Sequence, residues 1–173
     1  AFYVNVHCLD PPENRGIPLA IGGKPSSRGV VASASYEARK LGIRSAMPRK
    51  TAVRLCPNLT IVPANWPRIN ECSQQVMAAL ADFGAVEKMS VDEAYIDVSE
   101  QIRFGKPEVI AQAVKTAVSQ ATNLPCSVGL ASSKLVAKVA SDFDKPDGLT
   151  VVLPGKEAAF LAPQPVRDIW GIG

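Results

Sequence analysis

The spacing of apolar residues changes at about residue 65 and divides the chain. Before that point the apolar positions come in short runs broken by Gly and Pro. Residues 2–9 alternate like a strand, yet Phe2, Val6 and Leu9 also share a helical face, so the pattern leaves both open. Residues 10–16 form a turn cluster. Residues 18–23 and 29–34 read as strands. Residues 36–41 read as a short helix closed by Gly42. Residues 48–55 read as another, with Pro48 in its first turn. Residues 59–63 read as a brief strand.

Beyond residue 65 the periods lengthen. Ile69, Cys72, Val76, Leu80 and Phe83 follow helical spacing over 67–83. Residues 86–89 and 94–98 read as the arms of a hairpin. Ile110, Val114, Val118 and Ala121 place a second long helix over 107–121. Residues 125–130 form a strand, and 133–143 form a helix with Lys134 and Lys138 on one side at i, i+4. A strand over 149–153 and a short helix over 156–161 follow. The order helix, strand, strand, helix, strand, helix, strand predicts an α+β fold of the ferredoxin-like kind. Two helices would cover one face of a mainly antiparallel sheet. Such a pattern normally begins with a strand, whose place is at or before residue 1.

Composition narrows the class. The 173 residues, 47% hydrophobic and 20% charged, suit one generous domain or two small ones. No apolar run is long enough to span a bilayer, and no charged-then-apolar leader opens the chain. Cys8, Cys56, Cys72 and Cys126 show no C-x-x-C pair, so buried free thiols in a reducing cytosol are expected. His7 is the single histidine, which excludes a multi-histidine metal site. Lys24, Arg28, Arg39, Lys40, Arg44, Arg49, Lys50 and Arg54 stand against Glu37 alone between 24 and 54. The whole chain carries only +3, so the remainder is net negative. This asymmetry fits a polyanion held by one part and a metal by another, or a solvated charged face. The chain opens without Met, and residues 169–173 read as the beginning of an element, so a fragment is expected.

Candidate chemistry centres on Asp92 and Glu93, adjacent carboxylates between two strand-like runs. At a turn both can face one point, and unpaired carboxylates beside an apolar hairpin are costly unless neutralised. A divalent metal with hard oxygen ligands would do this; an exposed acidic turn is the alternative. Tyr36 and Arg39, at i, i+3, could both donate to phosphate oxygens, or be ordinary surface residues. Lys134, Lys138 and Lys145 form a further basic cluster, and Lys145-Pro146-Asp147-Gly148 is a turn signature that would fix Lys145 in space. Gly22, Gly23 and Gly29 could admit a flat ligand or serve a tight turn. Together these are the parts for two-metal nucleotidyl transfer.

Three blocks carry a family resemblance. GVVASASYEARKLGIRSAMP at 29–48 resembles the fingers signature of Y-family translesion DNA polymerases, closest to the DinB, or DNA polymerase IV, branch. SVDEAYID at 90–97 resembles the palm carboxylate motif of that family. CSVGLASSKLVAK at 126–138, continuing into KPDGL at 145–149, resembles its third palm block. The resemblance implies a ferredoxin-like palm at 65–165, lacking its first strand, with a small α/β fingers domain at 1–64. Residues 1–3 would end the first palm segment, and 166–173, with Trp170-Gly171-Ile172-Gly173, would begin a thumb.

It also implies roles. Asp92 and Glu93 match the catalytic metal pair, which in the intact family site holds two Mg²⁺ ions. Tyr36, Arg39 and Lys145, with Ser33 nearby, match the grip on the incoming triphosphate. Tyr3 matches the aromatic steric gate that excludes a 2′-hydroxyl. Val30 and Ala32 match the roof over the templating pair, where Gly23 would add little bulk. The implied partners are primer-template DNA, dNTP and, through regions outside this chain, a sliding clamp; the implied compartment is the cytoplasm, with no membrane. In the family, an Asp-x-Asp strand lies just before the position of Ala1. Ser133 stands where Asn is usual, and Ile17 where Lys is usual. The expectation is therefore a polymerase fragment that is inactive or nearly so, with unpartnered strand edges that lower stability or promote self-association. The competing reading is a non-catalytic relative that binds nucleotide, DNA or protein. A palm-type nucleotidyl cyclase is disfavoured by the fingers block.

Overall fold

In the computed structural model, which describes residues 1–23, 29–103 and 105–169, the strand Leu19–Ile21 (β1) has all three side chains buried. The chain divides into two units, Ala1–Ser73 and Gln74–Gly173. In the first, β1 pairs antiparallel with Ser33–Ala34 (β2) and parallel with Thr60–Val62 (β3). Successive side chains of a strand point to opposite faces. Ala20 accordingly packs with Val31, Ala34, Ala38, Ile43 and Ala52. Leu19 and Ile21 pack with Val4 and Cys8.

That second cluster resolves the ambiguity at the start of the chain. Val4 and Cys8 are i, i+4, one face of a helix, and both are needed to cover Leu19 and Ile21. Phe2–His7 is therefore a helix, α1. Tyr36–Lys40 (α2) and Arg49–Leu55 (α3) fall where the sequence places them. The strand expected over 29–34 is shorter, because Val30 and Val31 pair elsewhere. Val31 exchanges backbone hydrogen bonds with Met47 and Ala46, and Val30 bridges Pro48. Ile17, at a position where the family resemblance leads one to expect Lys, packs against the cluster of Val4 and Leu19.

The helix Trp66–Ala81 (α4) begins in the first unit and continues into the second. The second unit then holds Ala85–Lys88 (β4), Ala94–Asp97 (β5), Ser99–Ile102 (α5), Pro107–Thr122 (α6), Val128–Leu130 (β6), Lys134–Phe143 (α7), Leu149–Val151 (β7) and Glu157–Leu161 (α8). β4 and β5 form an antiparallel hairpin that aligns Val86 with Ile96 and Glu87 with Tyr95. Val86, Ala94 and Ile96 face Val76, Met77 and Leu80 of α4 and Val114 and Val118 of α6. Val128 of β6 joins the same core.

The sheet departs from the mainly antiparallel one expected. β6 and β7 pair in parallel, because α7 between them carries the chain back to its starting end. Among the described residues no ladder joins this pair to the hairpin. A Cβ on Gly129 of β6 would lie 2.2 Å from the Ala137 carbonyl, so only glycine lets α7 approach this closely. The short helix α5 was not foreseen. Asp97 starts it by accepting hydrogen bonds from the Ser99 amide and hydroxyl. No helix among the described residues is long and apolar enough to cross a membrane. Cys8, Cys56 and Cys72 are buried free thiols, and Cys126 is half-buried. Residues 170–173, expected to open a thumb, and Lys24 and Arg28 of the basic block lie outside the described residues.

Candidate active site

The two carboxylates occupy the loop between β4 and β5. The amides of Met89 and Ser90 both donate to the Glu93 carbonyl, at 2.9 and 3.1 Å, which closes the loop tightly. Ser90 Oγ donates to Asp92 Oδ1 at 3.1 Å and accepts from the Asp92 amide at 3.3 Å, so the Asp92 side chain is tied to its own loop. Asp92 is exposed and Glu93 half-buried.

Cations from α7 meet this hairpin. Ser133 caps the helix through the Val136 amide, and the i, i+4 spacing turns Lys134 and Lys138 the same way, as expected. Lys134 pairs with Glu87 and lies over the Tyr95 ring, 5.7 Å from its centre. Lys138, with only 14% of its side chain exposed, donates to Glu93 Oε1 at 2.8 Å and to Asp142 Oδ2 at 2.8 Å. Burial pulls the Lys138 ammonium down, but Asp142 and then Glu93 outweigh it and hold its pKa above the ordinary lysine value. Burial likewise pushes Asp142 up, but Lys138 and Lys145 outweigh it and hold the carboxyl below its ordinary value.

Lys145 pairs with the other oxygen of Asp142. The turn that carries it is held from behind. Lys115 Nζ donates to the Cys126 carbonyl (2.8 Å), the Asp147 carbonyl (2.5 Å), Asp147 Oδ1 (2.7 Å) and the Gly148 carbonyl (3.3 Å). The Gly148 amide donates to Ser127 Oγ at 3.1 Å. Lys115 and Asp142 were missed in the sequence. Asp142 had a local signal, four residues after Lys138 and three before Lys145. Lys115 had none, because its acceptors come together only in the fold.

The donor chemistry of Asp92 and Glu93 fits Mg²⁺, which takes one or two carboxylates and completes its shell with water and substrate phosphates. Among the described residues no group of three or more His, Cys, Asp or Glu is placed to hold a metal by itself.

The remaining candidates lie in the first unit. The Arg39 guanidinium sits 4.9 Å from the centre of the Tyr36 ring, and its Nε donates to the Ala34 carbonyl at 3.0 Å. The shared face expected from i, i+3 is thus present. Ser35 positions the helix: its hydroxyl accepts from the Ala38 and Leu19 amides and donates to the Ile17 carbonyl. Ser33 is buried, and Val30 and Ala32 are exposed on either side of buried Val31. Tyr3, on α1, meets Trp66 edge to face, with ring centres 5.5 Å apart.

Two expectations change here. The room left by Gly22 and Gly29 is taken by Arg49: a Cβ on Gly29 would lie 2.7 Å from Arg49 Nη2, and one on Gly22 3.1 Å from Arg49 Cδ. That space therefore receives the Arg49 side chain. Gly23 is exposed. Arg49 itself, counted in the basic block, is 3% exposed and contributes no surface charge. Arg39, Lys40, Arg44, Lys50 and Arg54 are exposed.

Residues 1–142 match the impB/mucB/samB family. The chain is 44% identical over 174 residues to DNA polymerase IV of Marinomonas sp. (strain MWYL1), covering 99% of this chain and 49% of that protein. It is 45% identical over 175 residues to DNA polymerase IV of Halorhodospira halophila (strain DSM 244 / SL1), covering 100% and 49%. It thus spans about half the length of the curated relatives it matches. Among solved structures, the insertion ternary complex of Dbh DNA polymerase superposes with a TM-score of 0.91 at 32% identity, covering 99% of this chain and 52% of that one. DinB from Sulfolobus solfataricus gives 0.89 at 33% identity, covering 99% and 51%. The mixed α+β architecture is common to these proteins. The chain belongs to the impB/mucB/samB family and is homologous to the Y-family DNA polymerase IV, a DNA-directed DNA polymerase.

Proposed function

We propose that this chain is the palm and fingers of a translesion DNA polymerase, which adds dNTPs to a primer 3′-hydroxyl by two-metal nucleotidyl transfer. The supporting observation is the half-buried Glu93 carboxylate, placed beside Asp92 in a tight hairpin loop and already holding a cation, Lys138. Residues 65–165 are assigned to a ferredoxin-like palm, 1–64 to the fingers with residues 1–3 ending the first palm segment, and 166–173 to the start of a thumb. Asp92 and Glu93 hold the metal side. When bound, Mg²⁺ would favour ionisation of the primer hydroxyl and offset charge on the leaving pyrophosphate.

The other residues bind and orient. Arg39 offers a guanidinium, Tyr36 a phenol and Lys145 an ammonium to the triphosphate oxygens, with Ser33 adjoining β1. Tyr3 presents a ring on α1 against which a deoxyribose can stack and a 2′-hydroxyl would be refused. Val30 and Ala32 expose small apolar side chains suited to a templating base pair. The partners are primer-template DNA and dNTP, with a sliding clamp reached through other regions of such a polymerase, and the setting is cytoplasmic.

Equilibrium binding of a fluorescent dNTP to residues 1–173 tests this. Binding that requires Mg²⁺ and falls at least tenfold in D92N/E93Q and in R39A is the expected result. Metal-independent binding that the carboxylate variants leave intact would establish a non-catalytic nucleotide-binding relative instead. Primer extension by the chain alone is expected at background, because the family places a further carboxylate and most of its DNA grip on other segments. Robust synthesis would overturn that expectation.

A further inference from the structure

Four charges of alternating sign run from the hairpin to the Lys145 turn. Glu93 Oε1 accepts from Lys138, Lys138 also donates to Asp142 Oδ2, and Asp142 Oδ1 accepts from Lys145. Each oxygen of Asp142 therefore carries one lysine. The two lysines are not equivalent: the Lys138 side chain is 14% exposed and that of Lys145 39% exposed. Water screens the outer pair more than the inner one.

We infer that Lys138 and Asp142 are positioning residues that relay cation binding at Glu93 to the Lys145 ammonium. The inference rests on the reading of Asp92 and Glu93 as cation ligands. Lys138 is the counter-cation of Glu93 when no metal is bound. A divalent ion on the same carboxylate repels Lys138, whose remaining carboxylate partner is Asp142. As Lys138 draws in, the Asp142 charge is compensated more fully from the buried side. Its hold on the more exposed Lys145 weakens, and that ammonium becomes available to another anion. The backbone of the turn need not move, because Lys115 and Ser127 pin it through the carbonyls of Asp147 and Gly148 and the amide of Gly148. The side chain alone changes partner. The relay would order events: cation at the hairpin first, then a released lysine for the triphosphate.

Nuclear magnetic resonance on residues 1–173, titrated with Mg²⁺ and no nucleotide, tests this without any catalytic step. The Glu93 amide and the ¹³Cε signals of Lys138 and Lys145 are followed together. In the wild type all three are expected to shift along one Mg²⁺ binding curve. In D142N, which keeps the side-chain shape, and in K138M, the Glu93 shift is expected to persist while the Lys145 shift is lost. A wild-type Glu93 shift with Lys145 unmoved overturns the relay and leaves the metal reading intact. So does a Lys145 shift that survives in both variants. Silence at Glu93 overturns the metal reading, and the relay with it. The wild-type titration decides the matter even if a variant folds poorly.

Discussion

Lys115 and Asp147 lie 32 positions apart in sequence and 2.7 Å apart in the fold, where the Lys115 ammonium grips the carboxylate and carbonyl of Asp147 and the carbonyls of Cys126 and Gly148. The Asp147 side chain is 60% exposed and Lys115 12% exposed, so the ion pair itself is screened more than the contacts to the Cys126 and Gly148 carbonyls, which are part-buried. K115M is therefore expected to cost about 2 kcal/mol by stripping a charged donor from the part-buried Cys126 and Gly148 carbonyls. D147N should cost under about 1 kcal/mol, since an exposed pair is worth little and Asn tolerates the left-handed backbone found at Asp147. Urea unfolding of the two variants checks the difference. Equal losses would show that the ion pair, and not the carbonyl grip, holds the turn.

Arg49 occupies the space that Gly22 and Gly29 leave open. Gly29→Ala is expected to destabilise by about 1–3 kcal/mol, because a buried guanidinium has little room to retreat. In an Arg49→Met background the same substitution should cost less, since the longer side chain is gone. A double-mutant cycle by chemical denaturation measures this; strict additivity would show that the two positions do not share the space.

The Ser35 hydroxyl makes three hydrogen bonds, one capping α2 at Ala38 and two tying it to Leu19 of β1 and to Ile17 just before it, whereas Ser133 caps α7 through one long contact of 3.4 Å. Ser35→Ala is expected to cost about 2 kcal/mol and Ser133→Ala under about 1 kcal/mol. Because Ser35 precedes Tyr36 and Arg39, its loss should also loosen the helix that presents them. Amide hydrogen exchange over residues 36–40 reads that loosening, and protection unchanged from wild type would count against it.

The ion chain carries a pH signature. Asp142 has a folded-state pKa below its ordinary value. A carboxylate shifted this way adds stability that is complete above its unfolded pKa and disappears as pH falls through the folded value. Lys138 is shifted the other way, so its contribution is complete below the ordinary lysine pKa and is lost as pH rises through the higher folded value. The groups facing these two are Glu93 and Lys145. The stability gap between wild type and D142N should therefore be widest near neutrality and close on acidification below the ordinary carboxylate range. Urea midpoints measured from neutral to strongly acidic pH follow the gap. A gap that persists undiminished in acid would mean that the Asp142 charge does not contribute.

The long helices were readable from spacing because a 3.6-residue period imposes one apolar face whatever the partner. α4, α6 and α7 appear within a few residues of their expected limits, and Lys134 and Lys138 share a side of α7 as expected. Strand limits were less readable, because a strand ends where its ladder partner ends. β6 begins at Val128 and not at residue 125: the Cys126 carbonyl is taken by Lys115, and Ser127 meets the Gly148 amide through its side chain. α1 was undecided until Leu19 and Ile21 supplied the surface that Val4 and Cys8 cover. A count of charges could not reveal that Arg49 is buried.

The sequence by itself determined the helical periods, the acidic hairpin loop and the motif blocks that mark the family, because each is written in residues close together along the chain. Tertiary structure alone decided which distant charges meet. Glu93 and Lys138 are 45 residues apart, and Lys115 and Asp147 are 32 apart. No local pattern specifies such pairs; they form because α7 packs closely on Gly129 of β6 and because the β6–β7 pair brings the Lys145 turn to Lys115. The carboxylates were visible as chemistry in the sequence, but the link from Glu93 through Lys138 and Asp142 to Lys145 exists only in the packed fold.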